Sequence, residues 1–139
     1  MENNTSSIHV LVAEDHPVNQ RLLVRILERR GMTVDVVADG AAALAAWERN
    51  RYDLILMDVM MPVLDGIAAT RAIRLAEARR PTQPEAPVRR VPIIGLTALD
   101  NDTVCTAWRE ADMDGCLQKP IAPDTLLNLI GRLVKPTSR

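Results

Sequence analysis

Short apolar runs alternate along the chain with longer segments in which apolar residues return every three or four positions. Ile8 to Ala13 is a compact run that stops at Glu14-Asp15. Pro17 suits the first turn of a helix, where its missing N–H removes no hydrogen bond. Val18, Leu22, Leu23, Ile26 and Leu27 then fall at helical spacing, with Arg21, Arg25, Glu28 and Arg29 on the other side. Gly31 is the predicted C′ cap, and Asp15 is a candidate N-cap. Thr33 to Ala38 reads as a second strand, and Gly40 to Asn50 as an alanine-rich helix carrying Leu44 and Trp47. Leu54 to Met57 is a third strand ending at Asp58.

The stretch Val59-Met60-Met61-Pro62-Val63-Leu64-Asp65-Gly66 is a loop by its proline and its Asp-Gly. A helix follows from Ile67 into the 70s, then a fourth strand, Pro92 to Leu96, ending at Thr97. The spacing next predicts a helix over Asn101–Ala111 and a short fifth strand, Gly115 to Gln118, ending at Lys119-Pro120. Pro123 opens a last helix with Leu126, Leu127, Ile130, Leu133 and Val134 on its inner face. Five strands alternating with five helices imply a parallel sheet, because crossovers of this length return the chain in the same direction. Strands 1 and 3 are apolar on both faces, as central strands should be. The predicted architecture is α/β: a three-layer (βα)5 sandwich around a doubly wound parallel sheet of order 2-1-3-4-5.

One domain over 8–134 accounts for this pattern, leaving tails at 1–7 and 135–139. The segment 78–90, ARRPTQPEAPVRR, has three prolines and four arginines and breaks the alternation. It reads as a surface insertion between the third helix and the fourth strand. The sharper alternative is a basic contact surface for a partner domain.

Composition narrows the function. The 139 residues hold 17 Lys plus Arg against 18 Asp plus Glu, a net charge of −1. Such a balance does not suit a protein that coats nucleic acid or an anionic membrane. The aromatic residues are Trp47, Trp108 and Tyr52, too few for a base-stacking platform. Cys105 and Cys116 do not make a disulfide framework. No run approaches the ~20 apolar residues of a membrane span, and the start, MENNTSSIHV, lacks the basic and apolar regions of a signal peptide. A cytoplasmic chain without direct membrane insertion is expected.

The candidate chemistry lies at the strand ends. Glu14 and Asp15, Asp58, Thr97 and Lys119 all fall on the carboxyl edge of the predicted sheet, where ligands bind at the switch in strand order. If strands 1 and 3 are neighbours, three carboxylates converge, and like charges so close resist common ionisation unless a cation joins them. Oxygen ligands with room for water suit Mg²⁺. Lys119 and Thr97 would add an ammonium and a hydroxyl, suited to a dianionic phosphoryl group. Each residue alone has a bland explanation as a turn, cap or solvated charge. The conjunction of all four strand ends is what carries information.

Val12-Ala13-Glu14-Asp15, Leu56-Met57-Asp58-Val59-Met60-Met61-Pro62-Val63-Leu64-Asp65-Gly66, Leu96-Thr97-Ala98 and Lys119-Pro120 together resemble the receiver domain of two-component response regulators. The likeness spans residues 8 to 134, and Glu14-Asp15-His16-Pro17-Val18-Asn19-Gln20 is most similar to receivers of hybrid sensor histidine kinases. The resemblance implies that Asp58 accepts a phosphoryl group from a phosphohistidine. It implies Mg²⁺ held by Glu14, Asp15, Asp58 and the backbone carbonyl of Met60, with Thr97 and Lys119 on the phosphoryl oxygens and a cis Lys119-Pro120 bond. It further implies a receiver that promotes its own phosphorylation and dephosphorylation, and partners that are a histidine kinase, a histidine phosphotransfer domain or other domains of a parent chain.

The pattern departs from the family at Cys116, where many receivers carry an aromatic residue that swings inward on phosphorylation. Signalling through Thr97, the loop after the fourth strand and partner binding is the expectation instead. The family's usual partner face would comprise the helix at 101–111 with Trp108, the 115–118 strand and the helix after Pro123. His9 and His16 are expected to be structural or solvated. A haloacid-dehalogenase-like phosphatase would need a second carboxylate where Met60 stands. A flavodoxin-like carrier would need a hydroxyl-rich loop in place of Glu14-Asp15. A degenerate receiver that only binds partners conflicts with the intact acid-acid-Asp-Thr-Lys set.

Overall fold

A computed structural model describes residues 8–61, 64–79, 90–98 and 109–134. In chain order the elements are β1 (His9–Ala13), α1 (Pro17–Glu28), β2 (Thr33–Val37), α2 (Gly40–Arg49), β3 (Leu54–Asp58), α3 (Gly66–Arg79), β4 (Ile93–Thr97), β5 (Gly115–Gln118) and α4 (Pro123–Leu133). All strand pairs are parallel, and the sheet order is β2-β1-β3-β4-β5, as the alternation of runs predicts. Residues 1–7, 62–63, 80–89, 99–108 and 135–139 lie outside the described residues. So do most of the predicted 101–111 helix, of which Arg109 and Glu110 are helical, and with it Cys105 and Trp108.

Side chains alternate across the pleat, so each central strand feeds two cores. Val10, Val12, Leu54, Leu56, Ile94 and Leu96 face Leu23, Ile26 and Leu27 of α1 and Leu126 and Ile130 of α4. Leu11, Ala13, Ile55, Met57 and Ile93 face Ala43 and Trp47 of α2 and Ala69 and Ile73 of α3. Helices therefore cover both faces, giving three layers. β3 and β4 are buried along their whole length, whereas β2, at the sheet margin, is mostly exposed or half-buried. Short apolar runs and short connections suffice for this arrangement, because the right-handed crossover of parallel strands leaves few alternatives.

Local departures have local causes. The N-cap of α1 is His16, not Asp15, and its side chain makes no capping bond. Gly31 does take a left-handed φ of 80°, but α1 reaches its C-cap at Arg29, placing Gly31 one position beyond C′. Of the expected 78–90 insertion, 80–89 lie outside the described residues and the two ends are placed otherwise. Ala78 and Arg79 complete α3, and the Arg90 guanidinium donates to Asp112 and Asp114.

Candidate functional site

Register brings the strand ends to one level. Ala13 pairs with Met57, Asp58 with Leu96 and Thr97 with Gln118, so the residues that leave β1, β3, β4 and β5 share one edge. Carboxylate oxygens of Glu14, Asp15 and Asp58 lie within 4.8 Å of one another. The Lys119 ammonium donates a hydrogen bond to Asp58 Oδ2 at 2.8 Å. It also forms an ion pair with Glu14 Oε1 at 2.9 Å, a buried oxygen with no further partner among the described residues. Thr97 closes β4 with 3% of its surface exposed, and its main-chain carbonyl accepts the Lys119 N–H at 2.6 Å. Glu14, Asp15, Asp58 and Lys119 thus form one cluster, with Thr97 beside it through the backbone. Lys119-Pro120 is cis.

The chain holds this cluster by close backbone packing. Glu14 is fully buried, its N–H bonded to Val37 O at 3.0 Å and its Oε2 accepting from the His16 N–H at 3.1 Å. Asp58 Oδ1 accepts from the Met60 N–H at 3.1 Å, which turns the loop after β3. That loop is pressed down by two glycines. A Cβ at Gly66 would fall against the Asp58 main-chain carbonyl, and one at Gly40 against that of Leu64. The Asp-Gly of the sequence is therefore more than a turn signal, because only glycine lets α3 begin so close to the acidic strand end.

Charge at the site is unbalanced, with three carboxylates facing one ammonium. Burial pushes the Asp58 carboxyl above the ordinary aspartate range, against the lowering effect of Lys119 and the Met60 N–H, and the Glu14 charge adds to the rise. Burial alone would depress Lys119, but the Asp58 and Glu14 carboxylates outweigh it and raise the ammonium's pKa. The buried Glu14 Oε1, beside two further carboxylates, belongs to an all-oxygen donor set suited to a small, hard divalent cation.

Other expected residues have quieter places. His9 Nε2 lies 3.0 Å from Asp35 Oδ2, and its ring packs on Tyr52 at 4.5 Å between centroids. Cys116 is half-buried on the edge strand β5, less covered than a core thiol. A second charged cluster, at the opposite edge of the sheet, has no signal in the sequence. Arg74 of α3 donates to Glu77 at 2.9 Å, to Asp114 at 2.8 Å and to the Val91 carbonyl at 2.8 Å.

The family model for the response regulator receiver domain matches residues 10–131. The chain belongs to that family. The transcription factor Skn7 of Saccharomyces cerevisiae is 34% identical over 138 residues, covering 96% of this chain and 20% of Skn7. The chain spans a fifth or less of the length of the curated relatives it matches first. Among solved structures, the receiver domain of the Pseudomonas aeruginosa sensor histidine kinase PA1611, with a magnesium ion in its active site cleft, is 40% identical with a TM-score of 0.78. The match covers 91% of this chain and 97% of that one. The co-crystal structure of the Saccharomyces cerevisiae phosphotransfer protein Ypd1 with the receiver domain of Ssk1 gives a TM-score of 0.86 at 27% identity, over 92% of this receiver and 89% of that chain. This chain is therefore a receiver of two-component phosphorelay signalling. No helix among its described residues is long and apolar enough to cross a membrane.

Proposed function

We propose that Asp58 of this receiver accepts a phosphoryl group from a phosphohistidine of a histidine kinase or histidine phosphotransfer domain. The carrying observation is the cluster of Glu14, Asp15 and Asp58 within 4.8 Å, with the Lys119 ammonium paired to both Glu14 and Asp58. Glu14, Asp15, Asp58 and the Met60 carbonyl would hold Mg²⁺, as the related PA1611 receiver holds magnesium in its cleft. When bound, the ion offsets charge on the phosphoryl oxygens and on the carboxylates. Asp58 Oδ attacks phosphorus in line, an O–P bond forms, and the P–N bond to the imidazole breaks with its electron pair left on the histidine. Lys119, raised in pKa and already at Asp58, neutralises charge on the transferring group. The Thr97 hydroxyl donates to a phosphoryl oxygen once the group is on Asp58. Positioning and electrostatics do the catalysis.

The surface around the cleft supports docking of a protein donor. Val18, in the first turn of α1 after the acidic pair, is 61% exposed, and Met60, two residues after Asp58, is 63% exposed, so large apolar side chains face water near the strand ends. The receiver unit spans 8–134 and works in the cytoplasm, alone or within a longer chain; where it is part of one, a hybrid sensor histidine kinase, a type found among its relatives, is the parent. Partner binding changes with phosphorylation through Thr97 and the loop after β4, since half-buried Cys116 cannot fill the space of an aromatic ring.

The test is intact mass after incubation with acetyl phosphate, with and without Mg²⁺, beside Asp58→Asn and with a beryllofluoride titration. One phosphoryl group added to wild type only with Mg²⁺, and none to the variant, is expected. No adduct and no beryllofluoride binding would overturn the assignment.

A further inference from the structure

The acidic pair leaves β1 at the last rung of the sheet, where the Glu14 N–H still bonds to Val37 O at 3.0 Å. Beyond that rung the direction of the next peptide is set by whatever holds the Glu14 carbonyl. Asp15 is exposed, so no packing fixes its side chain and its carboxylate goes where this peptide points. The Gln20 side chain reaches back from α1 and donates from Nε2 to the Glu14 carbonyl at 2.6 Å. The same turn of α1 also engages one oxygen of the Glu14 carboxylate: Oε2 accepts from the His16 N–H at 3.1 Å and faces Asn19 Nδ2 at 3.5 Å. Oε1, the other oxygen, faces the Lys119 ammonium at 2.9 Å.

We propose that Gln20 is a positioning residue for cation binding: its amide locks the Glu14–Asp15 peptide so that both carboxylates face Asp58 before any ion arrives. The inference rests on the cation-dependent phosphoacceptor reading above. Gln20 touches neither ion nor phosphoryl group; it acts through the main chain. A preset donor set binds more tightly because the ordering of the loop is already complete, and partners of metal ligands commonly matter by about tenfold or more in affinity. Helix α1 thereby becomes part of the metal site, although none of its side chains is a ligand.

Gln20→Leu keeps the reach and removes the donor, while Gln20→Lys restores a donor on a flexible stem. Mg²⁺ alone is titrated calorimetrically into the intact chain, and amide spectra are recorded without metal. Gln20→Leu is expected to bind Mg²⁺ about tenfold more weakly, to shift the Asp15 amide resonance, and to melt close to wild type. Gln20→Lys is expected to recover most of the affinity. Wild-type affinity in Gln20→Leu, or a fall in melting temperature with unchanged affinity, overturns the proposal and leaves Gln20 a helix-anchoring residue. Failure of wild type to bind Mg²⁺ is a different result, overturning the phosphoacceptor reading and this inference with it.

Discussion

The two edges of the sheet use the same kinds of side chain to opposite ends. At the amino edge, Arg74 and Arg90 meet Glu77, Asp112 and Asp114, and every carboxylate oxygen there has a donor. Glu77 takes Arg74 and the Val91 N–H. Asp114 takes Arg74, Arg90 and the Ile93 N–H. Asp112 takes Arg90 on both oxygens. At the carboxyl edge, Glu14, Asp15 and Asp58 cluster around a single ammonium among the described residues, Lys119, which pairs with Glu14 and Asp58. A satisfied network fixes the ends of α3, β4 and β5 and leaves nothing for a ligand to add. Three carboxylates gathered about a single ammonium suit a further cation. The supply of donors, more than the presence of charge, separates the structural cluster from the candidate site.

The largest effect is expected from breaking the satisfied edge. Arg74→Ala strands Glu77, 7% exposed, and Asp114 without their shared guanidinium. The loss should be about 3 kcal/mol, the cost of leaving buried charge unpaired, read as a lower denaturant midpoint. Its Mg²⁺ affinity should stay at the wild-type value, because no atom of the cluster touches the carboxyl edge. A fall in both would blur the division between the edges.

A smaller effect belongs to Tyr52, also at the amino edge, whose hydroxyl donates to Asp35 Oδ2 at 2.7 Å. Burial first, and Asp35 second, push its pKa from 10.0 up to about 12. The folded state therefore keeps a proton that the unfolded chain releases above pH 10. Stability from this group is complete below pH 10.0 and is lost as pH rises through about 12. Asp35 is half exposed, so the contribution is screened to about 1 kcal/mol. Tyr52→Phe should lose that contribution near neutrality and flatten the alkaline slope of stability in equilibrium unfolding. An unchanged slope would remove Tyr52 from the set of satisfied groups.

What could be read in the sequence follows from range. The runs Val10 to Ala13 and Leu54 to Met57 identify central strands because burial on both faces permits only apolar residues. Strand ends then place Glu14, Asp15, Asp58, Thr97 and Lys119 on one edge through topology alone, which is why the candidate site was legible. The Arg74 cluster was not. Its partners stand 38 and 40 positions away, and on a helix Arg74 and Glu77 look like an ordinary solvated pair. Gly66 showed as a turn glycine, yet its contact with the Asp58 carbonyl depends on how α3 abuts β3. Gln20 stood out only within the Glu14–Gln20 stretch, and its bond to the Glu14 carbonyl was not legible because a side-chain to backbone bond leaves no pattern in residue types.

The most direct measurement of the contrast is thermal unfolding of wild type and Asp58→Asn with and without Mg²⁺. Because burial and Glu14 disfavour the ionised Asp58, the neutral variant should melt at or above wild type in the absence of metal. Mg²⁺ at 100 times its dissociation constant should then stabilise wild type by about 2.7 kcal/mol and Asp58→Asn much less. A wild type unmoved by Mg²⁺, together with an Asp58→Asn variant that melts well below it, would contradict the assignment of the carboxyl edge as a cation site.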